Sequence, residues 1–355
     1  GVQMFFKLDK DDQLRRVQEC VAKVISKSKA TAAAGVDGIP MTVYKKMSTN
    51  QKHQIASYVF RWMHGEKLQG DDHVHGLLRW LFKGKGKTSS FAGYRMIGIP
   101  SSTRKILAGV WAELYTCVGE ELLSQDLNLG FRARQANVST ADSVAVPWHM
   151  NEAAFEQRVP IYGCFADVSK AFDYCPRHII LECLTACELP PQMITMLASL
   201  YEGTAMVDGD AIGPDGSPLA MPTMCGVFQG CPLSTHCWSL LLEYSRLWWV
   251  QNTPEGRSTS RGVRMRGTGP WDSTTHTEYT ISERFYADDA SFFDTNLERL
   301  INTTESFLRA VETVTGLKAS LGNKGKTEWV PLGFQPLPLA MEKAAHTAKT
   351  KATRQ

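Results

Sequence analysis

Apolar and polar positions along this chain change period several times, and each change marks an element. Leu14, Val17, Val21, Val24 and Ile25 recur at helical spacing and predict an amphipathic helix over residues 9–29. Ala32-Ala-Ala-Gly-Val-Asp-Gly-Ile-Pro40 interrupts it as a loop, and a second helix is predicted from about Met41 to Met63. A polar, Gly-rich stretch at 64–76 follows. Leu77–Phe82 and the run around Tyr94–Ile99 then read as strands on either side of a turn, Lys83-Gly-Lys-Gly-Lys87. Helical patterns cover about 101–124 and 139–158, and the strand-like run Ile161-Tyr-Gly-Cys-Phe-Ala166 leads into Asp167.

Beyond Asp167 the pattern predicts helices over about 176–186 and 191–202, a hairpin in the turn-rich residues 203–222, and an apolar helix over 232–250 that carries three tryptophans. Residues 251–283 read as a polar insertion holding a short basic strand, Arg261-Gly-Val-Arg-Met-Arg266. A hairpin is predicted across Asp288-Asp289, then a helix from about Leu297 to Thr315 and a mobile tail from 335. Strands and helices mixed in this order, with non-sequential pairing, predict an α+β architecture.

At 355 residues the chain is long enough to bury a substantial core, and it contains no apolar run of membrane-spanning length. The start, Gly-Val-Gln-Met-Phe-Phe, has no signal-peptide features and no initiator methionine, so the chain reads as a piece of a longer protein. Nine cysteines without a CxxC pair predict buried free thiols in a reducing, intracellular setting, nucleus or cytoplasm, and not a secreted protein. Cys225, Cys231 and Cys237, with His236 alongside, come nearest to metal-ligand spacing, but buried thiols explain them better. His73 and His75 read as part of a polar loop.

The net charge of +3 conceals an asymmetry: residues 1–165 carry 22 Lys and Arg against 15 Asp and Glu, which leaves 17 against 21 for the remainder. A basic front half beside an acidic second half suits a polyanion track leading to a cation site. The acidic half also holds the candidate chemistry. Asp-Asp at a turn is commonplace. Here, however, Asp288 and Asp289 lie between apolar runs (Phe285 and Tyr286, then Phe292 and Phe293), and Asp167 ends a separate strand. Adjacent carboxylates in such a place repel one another unless a cation offsets them, and hard divalent cations prefer oxygen ligands. Metal-assisted nucleotidyl transfer is therefore the first hypothesis.

Other residues gain meaning beside that site. Phe172, five positions after Asp167, would stack under a nucleotide sugar and crowd its 2′ position; otherwise it is a core aromatic. Gln229-Gly230 opens a helix in this reading, with the glycine admitting a base pair close to the backbone and the glutamine hydrogen-bonding to it; a helix cap is the plainer role. Arg95 within an apolar run, with Lys83, Lys85 and Lys87, offers positive charge to a triphosphate, and Lys326 would neutralise or protonate a pyrophosphate.

Together these motifs resemble the reverse transcriptase domain of non-LTR (LINE-type) retrotransposons over nearly the whole chain. Gly35-Val-Asp-Gly-Ile-Pro40, Gly93-Tyr-Arg-Met-Ile-Gly-Ile99, and Leu129-Gly-Phe-Arg-Ala-Arg134 followed by Ser139-Thr-Ala-Asp142 are similar to that family's leading, fingers and connecting segments. Phe165-Ala-Asp-Val-Ser-Lys-Ala-Phe-Asp173, Gly226-Val-Phe-Gln-Gly-Cys-Pro-Leu-Ser234, Tyr286–Asp289 and Gly316-Leu…Asn323…Lys326-Thr327 match its palm motifs in family order. Ser234 followed by Thr235, and Met96 and Gly98 in the Tyr-Arg segment, depart from the family pattern without touching a carboxylate.

The resemblance implies a right-hand polymerase fold with fingers in 1–160 and palm in 161–334, interleaved, and a thumb absent from this piece or lying outside it. It implies Asp167, Asp288 and Asp289 as catalytic ligands of two Mg²⁺ ions, for which Mn²⁺ could substitute. Phe172 becomes the gate favouring deoxynucleotides, Arg95 with Lys83 or Lys85 the triphosphate contacts, and Gln229 and Gly230 the face towards the template–nucleotide pair. RNA template, DNA primer and deoxynucleoside triphosphates are the implied partners, with thumb and endonuclease modules elsewhere in the same polyprotein and no membrane. An intron maturase or defence-associated reverse transcriptase is the nearer alternative. An RNA-copying RNA polymerase would usually place an acidic residue where Phe172 stands, and a non-catalytic RNA-binding scaffold would tolerate loss of a carboxylate.

Overall fold

The computed structural model of the chain describes residues 2–67, 75–84, 87–90, 93–124, 140–168, 170–268, 276–286, 289–318 and 327–332. Its elements run α1 (Val2–Lys7), α2 (Lys10–Lys27), α3 (Met41–Lys46), α4 (Thr49–Met63), β1 (His75–Phe82), β2 (Tyr94–Pro100), α5 (Ser102–Leu122), α6 (Thr140–Gln157), β3 (Ile161–Asp167) and α7 (Ala171–Tyr174). Then follow α8 (Arg177–Ala186), α9 (Pro191–Tyr201), β4 (Ala205–Ile212), β5 (Pro218–Pro222), α10 (Ser234–Asn252), α11 (Pro254–Arg257), β6 (Val263–Thr268), β7 (His276–Ile281), β8 (Glu283–Tyr286), β9 (Asp289–Asp294), α12 (Leu297–Thr315) and β10 (Glu328–Leu332). Helices and sheets are thus mixed, an α+β architecture, and they divide into two compact units: residues 1–122 with 172–237, and 123–171 with 238–355.

In the first unit, Val17, Val21, Val24 and Ile25 of the apolar stripe of α2 are buried in the core, whereas Leu14 is half-buried and Gln13 is buried beside it. It packs on α4 and α5. Gly109 of α5 permits the close approach, since a Cβ there would lie 2.6 Å from Val24 Cγ1. The single helix expected over 41–63 is two. Met47 caps the end of the first, and Ser48 caps the start of the second through a capping box with Gln51, a local hydrogen-bond pattern that apolar periodicity does not register. The Gly35–Ile39 segment docks at the start of α5: a Cβ on Gly35 would meet the Ser101 backbone at 2.5 Å, and Ser102 Oγ donates to the Ile39 carbonyl at 2.7 Å. Beside the helices lies a sheet of order β2-β1-β4-β5, in which β1 runs antiparallel to β2 and parallel to β4.

In the second unit the sheet order is β10-β3-β9-β8, with antiparallel neighbours throughout. Alternation sends Cys164, Ala166, Phe292 and Phe285 to one face, where Phe285 stacks on Phe307 of α12 at 5.3 Å between ring centroids and Phe292 lies 5.2 Å from the same ring. Ile161, Phe165 and Phe293 point the other way, into a cluster with Met150 and Ala153 of α6 and with Val263, Met265 and Ile281 of the β6–β7 hairpin. Residues 251–283 are therefore more than a polar insertion, because their few apolar side chains cover one face of this sheet. Arg261, expected on a basic strand, precedes β6 and is taken up locally: it donates to the Gly256 and Ser258 carbonyls, pairs with the buried Glu283 and lies over the Trp249 ring. Arg264 is exposed, and the Arg266 side chain lies outside the described residues. Asn296 caps the start of α12, and Gly316, at φ 71°, ends it.

Burial holds the Cys164 and Cys175 thiols well above their ordinary pKa, up to about 12. In the unfolded chain these thiols ionise near 9.0, so their contribution to stability is complete below that pH and is lost as pH rises from there towards 12. Iodoacetamide at pH 8 is accordingly expected to label the exposed Cys225 in the native protein and Cys164 and Cys175 only in denaturant, as read by peptide mass spectrometry. Native labelling of all three at similar rates would contradict the packing described.

Candidate active site

The sheet of the second unit places its carboxylates by register. β3 is apolar because both its faces are covered, and it ends in Asp167, which is itself buried. In the antiparallel pairing of β3 with β9, Asp167 stands directly opposite Asp289, and Asp289 in turn stands opposite Tyr286 across β9 and β8. Directly opposed residues project on the same face, with Cβ atoms about 4.5–5.5 Å apart. Asp167 is 7 % exposed and Asp289 is exposed, so the pair sits at a rim with one member sheltered and the other open. Asp288 adjoins Asp289 in the chain but lies outside the described residues. Two carboxylates so placed form an all-oxygen donor set of the type a hard divalent cation prefers. Among the described residues no group of three or more His, Cys, Asp or Glu side chains gathers as a metal site would need.

The first unit builds a second set of candidate residues around α7. The backbone of the segment leading to Gln229 is bonded to that short helix and the residues after it: Val227 N–H donates to the Phe172 carbonyl and Gly226 N–H to the Cys175 carbonyl, both at 2.8 Å. Gly226 is required at this contact. Its φ is +83°, and a Cβ would come within 2.3 Å of the Asp173 carbonyl oxygen. Beneath it, Phe228 is buried against Gly76 and Gly98 of the β1–β2 sheet. Phe172 is half-buried, and Gln229 Nε2 donates to Asp173 Oδ1 at 3.2 Å. Residues 229–230 form a turn and α10 begins at Ser234, whose Oγ donates to the Phe228 carbonyl, so Gln229-Gly230 precedes the helix and does not open it. Gly230, at φ +85°, has open space on its Cβ side.

Arg177 holds this arrangement together, and the sequence reading passed it over. Its guanidinium donates to the carbonyls of Gly226, Thr223 and Cys225 and to the hydroxyls of Thr204 and Thr223, while stacking 4.6 Å above the Tyr201 ring. Desolvation pulls its pKa down, and the charge-assisted hydrogen bonds offset that penalty. One signal was present: Arg177 is the first residue of a helix, where the dipole disfavours a cation unless something else holds it.

The remaining expected residues fall as follows. Arg95 is exposed on β2, directly opposite Leu81, and alternation puts it on the same side of the β1–β2 pair as the position of Lys83, which is also exposed. The opposite side carries Met96, Gly98 and Leu78, which line a cavity together with Gln229. Arg95 and Gln229 thus approach the sheet from different sides. Lys85 and Lys326 lie outside the described residues, as does His73. Cys231 and Cys237 are core residues of the first unit, their pKa values raised by desolvation, and His236 is half-buried with its ring against Tyr115.

A family model described as reverse transcriptase (RNA-dependent DNA polymerase) matches residues 85–331 of the chain. That span includes Asp167, Phe172, Gln229, Asp288 and Asp289. No curated protein matches it. Among the described residues no helix is long and apolar enough to cross a membrane.

Gly226→Ala tests the contact that anchors the Gln229 segment. A side chain at positive φ pressed on a backbone oxygen is expected to lower stability by about 1–3 kcal/mol, measured as a fall in the urea midpoint at unchanged m-value. An unaltered midpoint would show that Gly226 is not held against α7.

Proposed function

Since this chain belongs to the reverse transcriptase family, whose members are RNA-directed DNA polymerases, we propose that it extends a DNA primer on an RNA template as the polymerase domain of a non-LTR retrotransposon. One observation carries the mechanistic part of this reading: Asp167 and Asp289 face one another on neighbouring strands, and Asp288 precedes Asp289 in the chain. The family's enzymes work with divalent cations, and an oxygen-only pair fits Mg²⁺, with two ions shared among Asp167, Asp288 and Asp289. A divalent cation bound there would favour loss of the primer 3′-hydroxyl proton and offset the charge of the departing pyrophosphate.

The chain's own side chains supply the rest. Arg95 and Lys83 share one side of a strand pair and are the groups to meet a triphosphate, aided by Lys85; Lys326 would shield or protonate the leaving pyrophosphate. Phe172, five residues after Asp167 in the sequence, would back the sugar with its ring and disfavour a 2′-hydroxyl. Gly230, with open space beside it, and Gln229 would meet the template–nucleotide pair. The basic residues of 1–160 fit a fingers role and the carboxylate-bearing sheet a palm role, with thumb and endonuclease modules supplied by the same polyprotein. The string Asp167-Val-Ser-Lys-Ala-Phe-Asp173 resembles that of retrotransposons more than that of maturases, and Phe172 stands where an RNA-copying RNA polymerase would usually place an acidic residue.

Primer extension by the full-length protein on poly-rA with Mg²⁺ tests this reading. Asp167→Asn is expected to lower incorporation by about 10³-fold, the scale of several kcal/mol of lost charge stabilisation, with the melting temperature preserved. In the same assay Phe172→Val should shift the ribonucleotide-to-deoxynucleotide ratio by about tenfold towards ribonucleotides. Activity within tenfold of wild type in Asp167→Asn would remove Asp167 from the chemistry.

A further inference from the structure

Asp173 has so far no part in the reaction, yet it is the residue to which the Gln229 side chain is bonded. Both line a cavity of about 220 Å³ in the first unit, whose apolar wall comes from Leu78, Met96, Gly98 and Phe228. The contact is built into the backbone. Asp173 follows Phe172 on α7, and the Gln229 segment is pinned there by the Val227 and Gly226 amides, by the missing side chain of Gly226 and by Arg177 from the other side.

The chemistry of the pair fixes its polarity. A glutamine amide has a donating end and an accepting end and can present either one, whereas a carboxylate only accepts. Asp173 therefore takes the Nε2 end, and the carbonyl oxygen Oε1 is held on the side away from it. A ligand in the cavity that meets Gln229 on that side finds an acceptor and is selected for having a donor to give it. A site built to hydrogen-bond one substrate group rejects an analogue that lacks the group, because the site's own polar atom is then left unmatched.

We propose that Asp173 is a positioning residue that sets the amide orientation of Gln229, so that this cavity selects a hydrogen-bond donor on the incoming nucleotide or on the base it pairs with. The donor is a sugar hydroxyl or an exocyclic base amine. This rests on the reverse transcriptase reading and adds a specificity determinant to it. Phe172 and Asp173 are neighbours on one turn of helix, so the proposed sugar gate and the orientation of Gln229 are set by the same four-residue element.

The test uses the full-length protein in steady-state primer extension. Incorporation of dGTP is compared with that of its 3′-deoxy counterpart and of deoxyinosine triphosphate, which lacks the exocyclic amine. Wild type should discriminate against at least one analogue, and which one identifies the donor. Asp173→Ala should reduce that discrimination about three- to tenfold, the range of one hydrogen bond, mainly through KM for the natural nucleotide and with kcat nearly kept. Asp173→Asn, which keeps the shape but can bond either end of the amide, should also reduce it, and it stands in for the alanine variant if that one fails to fold. In a Gln229→Met background, Asp173→Ala should change discrimination no further. Wild type indifferent to both analogues, unchanged discrimination in the Asp173 variants, or an equal loss in the Gln229→Met background would each overturn the proposal. A wild-type protein that incorporates no nucleotide would instead refute the polymerase reading beneath it.

Discussion

Two carboxylates facing one another across a strand pair are the feature around which the second unit is arranged. Asp167, sheltered, and Asp289, open to solvent, stand directly opposite one another on β3 and β9. Only a fixed register keeps them there. Cys164, Ala166 and Phe292 must face α12, and Ile161, Phe165 and Phe293 must face α6 and the β6–β7 hairpin. A slip of one residue would exchange both sets, placing Asp167 and Asp289 among the rings packed on Phe307. Packing on both faces of the sheet thus sets the position of a charged pair at its rim.

The same division of labour appears in the first unit, with hydrogen bonds in place of apolar packing. The segment from Thr223 to Gln229 buries few apolar side chains beyond Val227 and Phe228, with Met224 exposed, so it is held by what its backbone can bond to: Arg177, the Phe172 and Cys175 carbonyls, and the space left by Gly226. In both units the polar residues at the candidate site owe their placement to neighbours with no role in the chemistry.

Much of this was legible in the sequence where one physical signal dominated. The buried stripe of α2, the β3 run ending at Asp167 and the β8–β9 hairpin all follow from apolar periodicity and were read correctly. Ser48 divided a predicted helix because capping is a property of one side chain, not of a period. Residues 251–283 looked polar because Val263, Met265 and Ile281 are few, although Val263 and Met265 do alternate with Arg264 as a half-buried strand requires. Arg177 and Asp173 left the faintest trace, since bonds joining residues about fifty positions apart depend on how α7 and α8 meet the 223–229 segment. A single sequence carries no record of that meeting.

The central claim is that Asp167 and Asp289 are held opposite one another for a divalent cation. Thermal melting with and without millimolar Mg²⁺, on the wild type and Asp289→Asn, tests it without relying on activity. The wild type should gain a few degrees on adding Mg²⁺, as expected for a ligand well above its dissociation constant. Asp289→Asn removes one oxygen ligand and should show little gain from the cation. A variant that gains as much from Mg²⁺ as the wild type, or a wild type that gains nothing, would contradict the account.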